Sequence, residues 1–280
     1  MKPSTSWSID SIPAFCITLE RRADRWRRFQ DQPGTQDLSV KRFLGVDGKT
    51  IDLNTDDRVT TLTKRNIKTK SRRSHEELDS IGGVGCALSH IAVWQWMVDH
   101  NQEMCLIFED DAVIPSGFKE MANDVIQKSP ILRNPKQWDM WLLGGVWDDM
   151  TRIPEEPAES GVVRIGSFVL FHGYVLTLRA AKQMLQNAYP IHCHIDMWAS
   201  IFAYLTDMRI VGTTTIQIQQ NQKVKTDIQS DTGCAICNVP VDFADTHRLI
   251  SHTEWRVAQA SQVVCVALVA YVVYKQLTKS

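Results

Sequence analysis

Three consecutive acids, Glu109, Asp110 and Asp111, stand directly behind the apolar run MCLIF at residues 104–108. Adjacent carboxylates raise one another's pKa by like-charge repulsion, so the triplet is costly unless something compensates it. A divalent cation removes that penalty, and oxygen donors of this kind suit Mn²⁺ or Mg²⁺. An acidic turn that simply faces water is the alternative, and these residues alone leave both open. Side chains alternate at the end of a strand, which puts Glu109 and Asp111 on one face and Asp110 on the other. Glu109 and Asp111 are therefore the predicted metal ligands, with Asp111 also nearest the chemistry. Open α/β sheets bind ligands beyond the carboxyl ends of their strands, which is where this triplet falls.

Other candidate ligands carry weaker patterns. His192 and His194 have a spacing that suits a metal, and equally suits surface histidines. The pair Cys234 and Cys237 has no second CxxC to complete a zinc ribbon. Cys16, Cys86 and Cys105 sit inside apolar runs, where a thiol behaves as a small buried hydrophobe. An odd, scattered set of seven cysteines favours a reducing compartment. Nine tryptophans serve a core, or stack on pyranose rings in a sugar cleft. A formal net charge of −1 argues against a nucleic-acid partner held by bulk charge.

The elements that must position these groups follow from periodicity. Residues 12–19 (IPAFCITL) and 40–46 (VKRFLGV) read as buried strands, the second ending in the turn Asp47-Gly48. Between them, residues 20–29 have helical composition and five arginines, up to the break at Pro33-Gly34. The segment 58–75 carries seven Lys/Arg and no Asp/Glu, which predicts a mobile solvated loop or a basic lid over a phosphate-bearing ligand. Apolar spacing after Ile81-Gly82-Gly83-Val84-Gly85 is helical, and residues 104–108 are the strand that presents the acids. Residues 138–143 predict a further strand, 167–176 include another around His172-Gly173-Tyr174, and 179–187 predict a helix stopped by Tyr189-Pro190. Strands alternating with helices predict a layered α/β sheet.

The termini bear on location. Residues 1–11 predict a polar tail with no apolar leader. Residues 263–274 (VVCVALVAYVVY) are twelve unbroken apolar positions. As a helix they would span roughly 18 Å against a hydrocarbon core of roughly 30 Å. The segment 257–280 is thus either a tail anchor or a docked helix, and the expected place for the chain is the cytoplasmic face of a membrane.

Several blocks together are similar to glycosyltransferase family 25, the lipooligosaccharide and collagen galactosyltransferase-like enzymes. FCITLERRADRWRRF resembles the family's opening, GVDGKTI its DG turn, GGVGCALSHIAVWQWM its G-x-x-G-C-x-x-S-H helix, and LIFEDDAVIPSGF its EDD strand. WDMWLLGG, HGYVLTLRAAKQML and IHCHIDMW follow in the same order, so the resemblance covers residues 12–220. It implies a GT-A-type Rossmann-like nucleotide-binding sheet over 12–250, a UDP-sugar donor, Mn²⁺ (or Mg²⁺), a glycan or protein hydroxyl acceptor, and inversion at the anomeric carbon.

The same resemblance implies roles by position. Leu19, Arg22 and Arg25 fall in the block that contacts the nucleotide, where arginine is a bidentate phosphate ligand. Asp47 and Gly48 would line the uridine pocket, and Ser89 and His90 would lie near the donor. Asp196 would be the catalytic base or a further acid of the metal shell, unless it caps a helix. Thr18 departs from the family's asparagine. Two other classes compete. Phosphoryl or nucleotidyl transfer also uses clustered acids. A non-catalytic module of the same fold would dock an anionic surface through residues 58–75.

Overall fold

The computed structural model describes residues 7–72, 74–148 and 150–221, together with Ile228 and Lys275. The chain divides into two compact units, Met1–Gly233 and Cys234–Ser280, and nearly all described residues belong to the first. In chain order the first holds β1 (Ala14–Thr18), α1 (Ala23–Gln30), β2 (Val40–Leu44), α2 (Thr61–Thr69), α3 (Ile81–Asp99), β3 (Met104–Glu109), β4 (Ala112–Val113), α4 (Phe118–Lys128) and α5 (Pro130–Arg133). There follow β5 (Met140–Leu142), β6 (Val146–Asp148), β7 (Thr151–Arg152), β8 (Val162–Arg164), β9 (Ser167–Val169), β10 (Gly173–Thr177), α6 (Leu178–Leu185), α7 (Ile195–Leu205), β11 (Ile210–Thr213) and β12 (Gln219–Gln220).

Eight strands form one mixed sheet in the order β2-β1-β3-β10-β5-β11-β8-β7. β1 runs parallel to β2 and β3, and β5 parallel to β11. β10 lies antiparallel between β3 and β5. Helices cover both faces, which is why β3 reads as a continuous apolar run instead of an alternating one. Cys105 and Ile107 pack on one side with Val84, Ile91 and Trp94 of α3 and Met184 of α6. Leu106 and Phe108 pack on the other with Phe29 of α1 and Phe118 and Val125 of α4. This is the mixed α/β sheet, Rossmann-like and of GT-A type, that the sequence predicts.

The register carries three chain segments to one edge of the sheet. Thr18 pairs with Leu44, and Ile17 with Glu109, so β1, β2 and β3 end together. β10 begins there, with Gly173 opposite Phe108. The DG turn, the acidic triplet and His172 thus share the carboxyl-end edge. A separate two-stranded ribbon of β4 and β12 returns residues 219–220 to the same place.

Several expectations change. Within 58–75, residues Thr61–Thr69 form the helix α2 where the sequence predicts a loop: Thr60 caps it by accepting the Thr63 N–H at 3.2 Å, and its entry is tied to Ile191, whose N–H donates to the Arg58 carbonyl at 2.7 Å. Threonine caps and backbone pairing outweigh the like charges, which sit on the exposed face at Arg65, Lys68 and Lys70. Residues 7–11 are not a tail. Ile9 is fully buried and donates its N–H to Asn123 at 2.8 Å, and the Trp7 indole donates to the Leu132 carbonyl at 2.7 Å. The strand expected around His172-Gly173-Tyr174 is β10, and a separate strand, β9, precedes it, the break falling at Leu170, whose φ is +73°. The apolar C-terminal run and the CxxC fall outside the described residues. One described helix, α3, is long and apolar enough to cross a membrane, and it is the central core helix on one face of the sheet.

Candidate active site

The acids separate as the strand's pleat requires, and then the strand stops. Glu109 faces α3, where its Oε1 lies 3.0 Å from His90 Nε2. Asp110 faces the opposite side, accepting from Thr18 Oγ1 at 2.6 Å and from the Arg25 guanidinium. Alternation ends at Glu109, and a turn carries Asp111 onto the same guanidinium at 3.2 Å. Asp111 therefore keeps company with both neighbours, where strict alternation would have set it beside Glu109 alone. Its Oδ2 also accepts from Gln220 Nε2 at 3.1 Å, while its Oδ1 is buried with no hydrogen-bond partner.

Electrostatics follow from this placement. Burial raises Asp111 to about 7, with the Glu109 charge adding to the shift and Arg25 opposing it. Burial also raises Asp110, against Arg25 and Thr18. Glu109 is held below its usual value because the His90 hydrogen bond, with positive neighbours, outweighs burial. The side chains of Glu109 and Asp111 are 17% exposed against 9% for Asp110, so the first two are the pair a ligand can reach.

The cluster thus carries a buried carboxylate oxygen, Asp111 Oδ1, with no hydrogen-bond partner. Oxygen donors from Glu109 and Asp111 fit Mn²⁺ or Mg²⁺ by chemistry. Cys86 Sγ, His90 and Glu109 also converge, their ligand atoms within 4.8 Å of one another. Burial and the charges of the nearby carboxylates push the Cys86 thiol well above its ordinary value, so it is a neutral thiol in the metal-free chain. Asp196 lies in the first turn of α7, whose N-cap is His194, and its Oδ2 accepts the Leu170 N–H at 2.8 Å.

The remaining predicted residues sort by what they touch. Arg25 is buried on the acids and is their internal counterion. Arg22 precedes the first turn of α1 and donates to Asp24 at 3.0 Å, and half-buried Leu19 offers its carbonyl to Arg42 at 2.8 Å. Asp47 holds Arg21 at 2.6 Å and caps the short turn Gly48–Thr50 through the Lys49 N–H at 3.0 Å. A Cβ at Gly48 would lie 2.3 Å from the Ile81 carbonyl, and one at Gly85 would lie 2.6 Å from that of Val46. These glycines let the N-terminus of α3 press on the DG turn. Ser89 pins the two together, accepting the Val46 N–H at 2.8 Å and donating to Gly85 at 2.6 Å. His192 is exposed and donates to Pro190, and His194 accepts from Arg72 at 3.2 Å, so neither joins the acids.

Sequence reasoning missed Gln220 and Tyr174 altogether. Thr18, noted there only as a departure, proves to be a ligand of Asp110. Gln220 is more than a hundred residues from Asp111, and only the β4–β12 pairing brings it in.

Comparison with known proteins bears on the same residues. The family model described as glycosyltransferase family 25 (LPS biosynthesis protein) matches residues 11–153, about half of the chain and the part that carries the DG turn, α3 and the acids. A "Glycosyltransferase 25 family member" of Anopheles gambiae is 29% identical over 190 residues, 66% of this chain and 30% of that protein. "Procollagen galactosyltransferase 1" of Danio rerio is 29% identical over 178 residues, 61% and 28% of the two chains. A bovine relative, named "Probable inactive glycosyltransferase 25 family member 3", is 26% identical over 180 residues, 62% and 28%. The chain spans about three tenths of the length of these curated relatives. With half its length matched through the acidic triplet and its supporting helix, this chain belongs to glycosyltransferase family 25.

Proposed function

We propose that this chain transfers a hexose, galactose or glucose, from a UDP-sugar to a hydroxyl acceptor on a glycan or protein, with inversion. The observation that carries this reading is Asp111 Oδ1, buried without a partner beside Glu109 at the carboxyl-end edge of the sheet. Glu109 and Asp111 would hold Mn²⁺ or Mg²⁺, which when bound supplies positive charge against a leaving diphosphate. Asp196, with one oxygen fixed by Leu170, would take the proton of the acceptor hydroxyl as that oxygen bonds to the anomeric carbon and the bond to UDP breaks. Arg25 opposes the upward shift that burial imposes on Asp110 and Asp111 and holds both carboxylates in place as their counterion.

Incubation with a panel of UDP-sugars and Mn²⁺ tests the proposal, since slow attack by water releases UDP from the preferred donor without any acceptor. UDP release that stops with a chelator and in Asp111→Asn supports it. Release of pyrophosphate or a monophosphate would support nucleotidyl transfer instead. The name of the bovine relative favours one further reading, a non-catalytic member of the family. That reading predicts no turnover of any donor and no stabilisation by UDP with Mn²⁺. Membrane attachment through 257–280 stays part of the proposal and is checked by flotation of the full chain with vesicles.

A further inference from the structure

We propose that Tyr174, backed by Trp94, is a positioning residue that fixes His90 as its Nε2–H tautomer and thereby aims the Glu109 carboxylate. The Trp94 indole donates to the Tyr174 hydroxyl at 3.0 Å, that hydroxyl lies 2.9 Å from His90 Nδ1, and His90 Nε2 lies 3.0 Å from Glu109 Oε1. Trp94, His90 and Tyr174 are fully buried, so each polar atom must find its partner within the chain.

Counting protons decides the direction. An indole can only donate and a carboxylate can only accept. Three gaps lie between them, and three protons are available: one each on indole, phenol and neutral imidazole. Every gap is filled only if Tyr174 donates to Nδ1 and His90 donates from Nε2 to Glu109. The opposite tautomer leaves the phenolic proton without an acceptor and sets a bare nitrogen lone pair against the carboxylate. The other ring nitrogen's hydrogen bond is what sets a histidine's tautomer.

The fold supplies the alignment. His90 and Trp94 are one helical turn apart on α3, and Tyr174 stands opposite Ile107 on the neighbouring strand. Glu109 is two residues beyond Ile107 and so shares its face. The imidazole is held against Tyr174 and Phe171, with ring centroids 5.8 Å and 5.4 Å apart. Two consequences follow. The Cys86, His90, Glu109 trio is not a soft-metal site, because His90 Nε2 carries a proton and has no lone pair to give. Resting on the metal reading above, Glu109 Oε1 is the anchored oxygen, leaving Oε2 for the cation.

The test begins without metal. In the full chain labelled with ¹⁵N-histidine, long-range proton–nitrogen spectra should show His90 protonated at Nε2 and bare at Nδ1. Tyr174→Phe should mix the tautomers and weaken Mn²⁺ binding about tenfold or more, as loss of an outer-shell partner does, while thermal melting shows that the fold survives. His90→Gln, whose amide N–H can still donate to Glu109, should retain more Mn²⁺ affinity than His90→Ala. A wild-type His90 protonated at Nδ1 would overturn the proposal, as would Tyr174→Phe with an unchanged tautomer and unchanged Mn²⁺ affinity. Should Tyr174→Phe fail to fold, the wild-type spectrum decides alone. Failure of the metal reading shows differently: Mn²⁺ binding would then be indifferent to Glu109→Gln and Asp111→Asn, whatever the spectrum reports.

Discussion

Arg25 holds two carboxylates in a place that water barely reaches, so removing it leaves charges with nothing to answer them. Breaking a buried pair in this way costs about 3–5 kcal/mol. Arg25→Met should lose stability of that order at pH 7.5 in urea unfolding. The loss should shrink near pH 5, because Asp110 and Asp111 both take up protons more readily than ordinary carboxylates and shed the unanswered charge. Thr18→Val tests the same corner more gently. It removes one donor to Asp110 and should cost about 1–3 kcal/mol, read in the same unfolding curves.

At the level of elements, the N-terminus of α3 is pressed onto the DG turn so closely that only hydrogen fits. Gly85→Ala would drive a methyl to within 2.6 Å of the Val46 carbonyl and 2.8 Å of the Gly48 nitrogen. Backbone cannot yield as a flexible side chain does, and overpacking of this kind costs about 1–3 kcal/mol. The variant should melt earlier. Because α3 carries His90, it should also lose Mn²⁺ affinity, which calorimetric titration would show. An alanine at Gly85 that left both melting and Mn²⁺ binding unchanged would mean that the contact is slack. The α2 segment is tied to residues 191–192 by the Thr60 N–H on the Ile191 carbonyl and the Thr63 hydroxyl on the His192 carbonyl, and Thr60→Ala should release its cap and cost about 1 kcal/mol.

For the molecule as a whole, the acidic cluster makes stability depend on pH and on cations together. Asp111 has a folded pKa of about 7, above its unfolded value, so its contribution is fully present in acid and is lost as pH rises towards 7. The metal-free protein should therefore lose melting temperature across that window, and Asp111→Asn should lose less. Mn²⁺ binds the ionised form, so the stabilisation it gives should grow over the same pH range and vanish in the variant. Gln220→Ala removes the contact that the β4–β12 ribbon brings from the far end of the described chain. It should keep the fold and weaken Mn²⁺ binding, measured beside Asp111→Asn.

Much of this was legible from residue order. The pleat places Glu109 and Asp110 on opposite faces once 104–108 is read as a strand, Asp47-Gly48 reads as a turn, and the apolar spacing after Gly85 reads as a helix. Local rules of this kind act within a few residues, so sequence alone resolves them. Which charge answers which is a different matter. Arg25 reads as a phosphate ligand by type and position, and only the packing of α1 on the sheet turns it inward onto Asp110 and Asp111. Gln220 and Tyr174 carried no local signal, because strand order and register, set by burial over the whole sheet, decide that they meet Asp111 and His90.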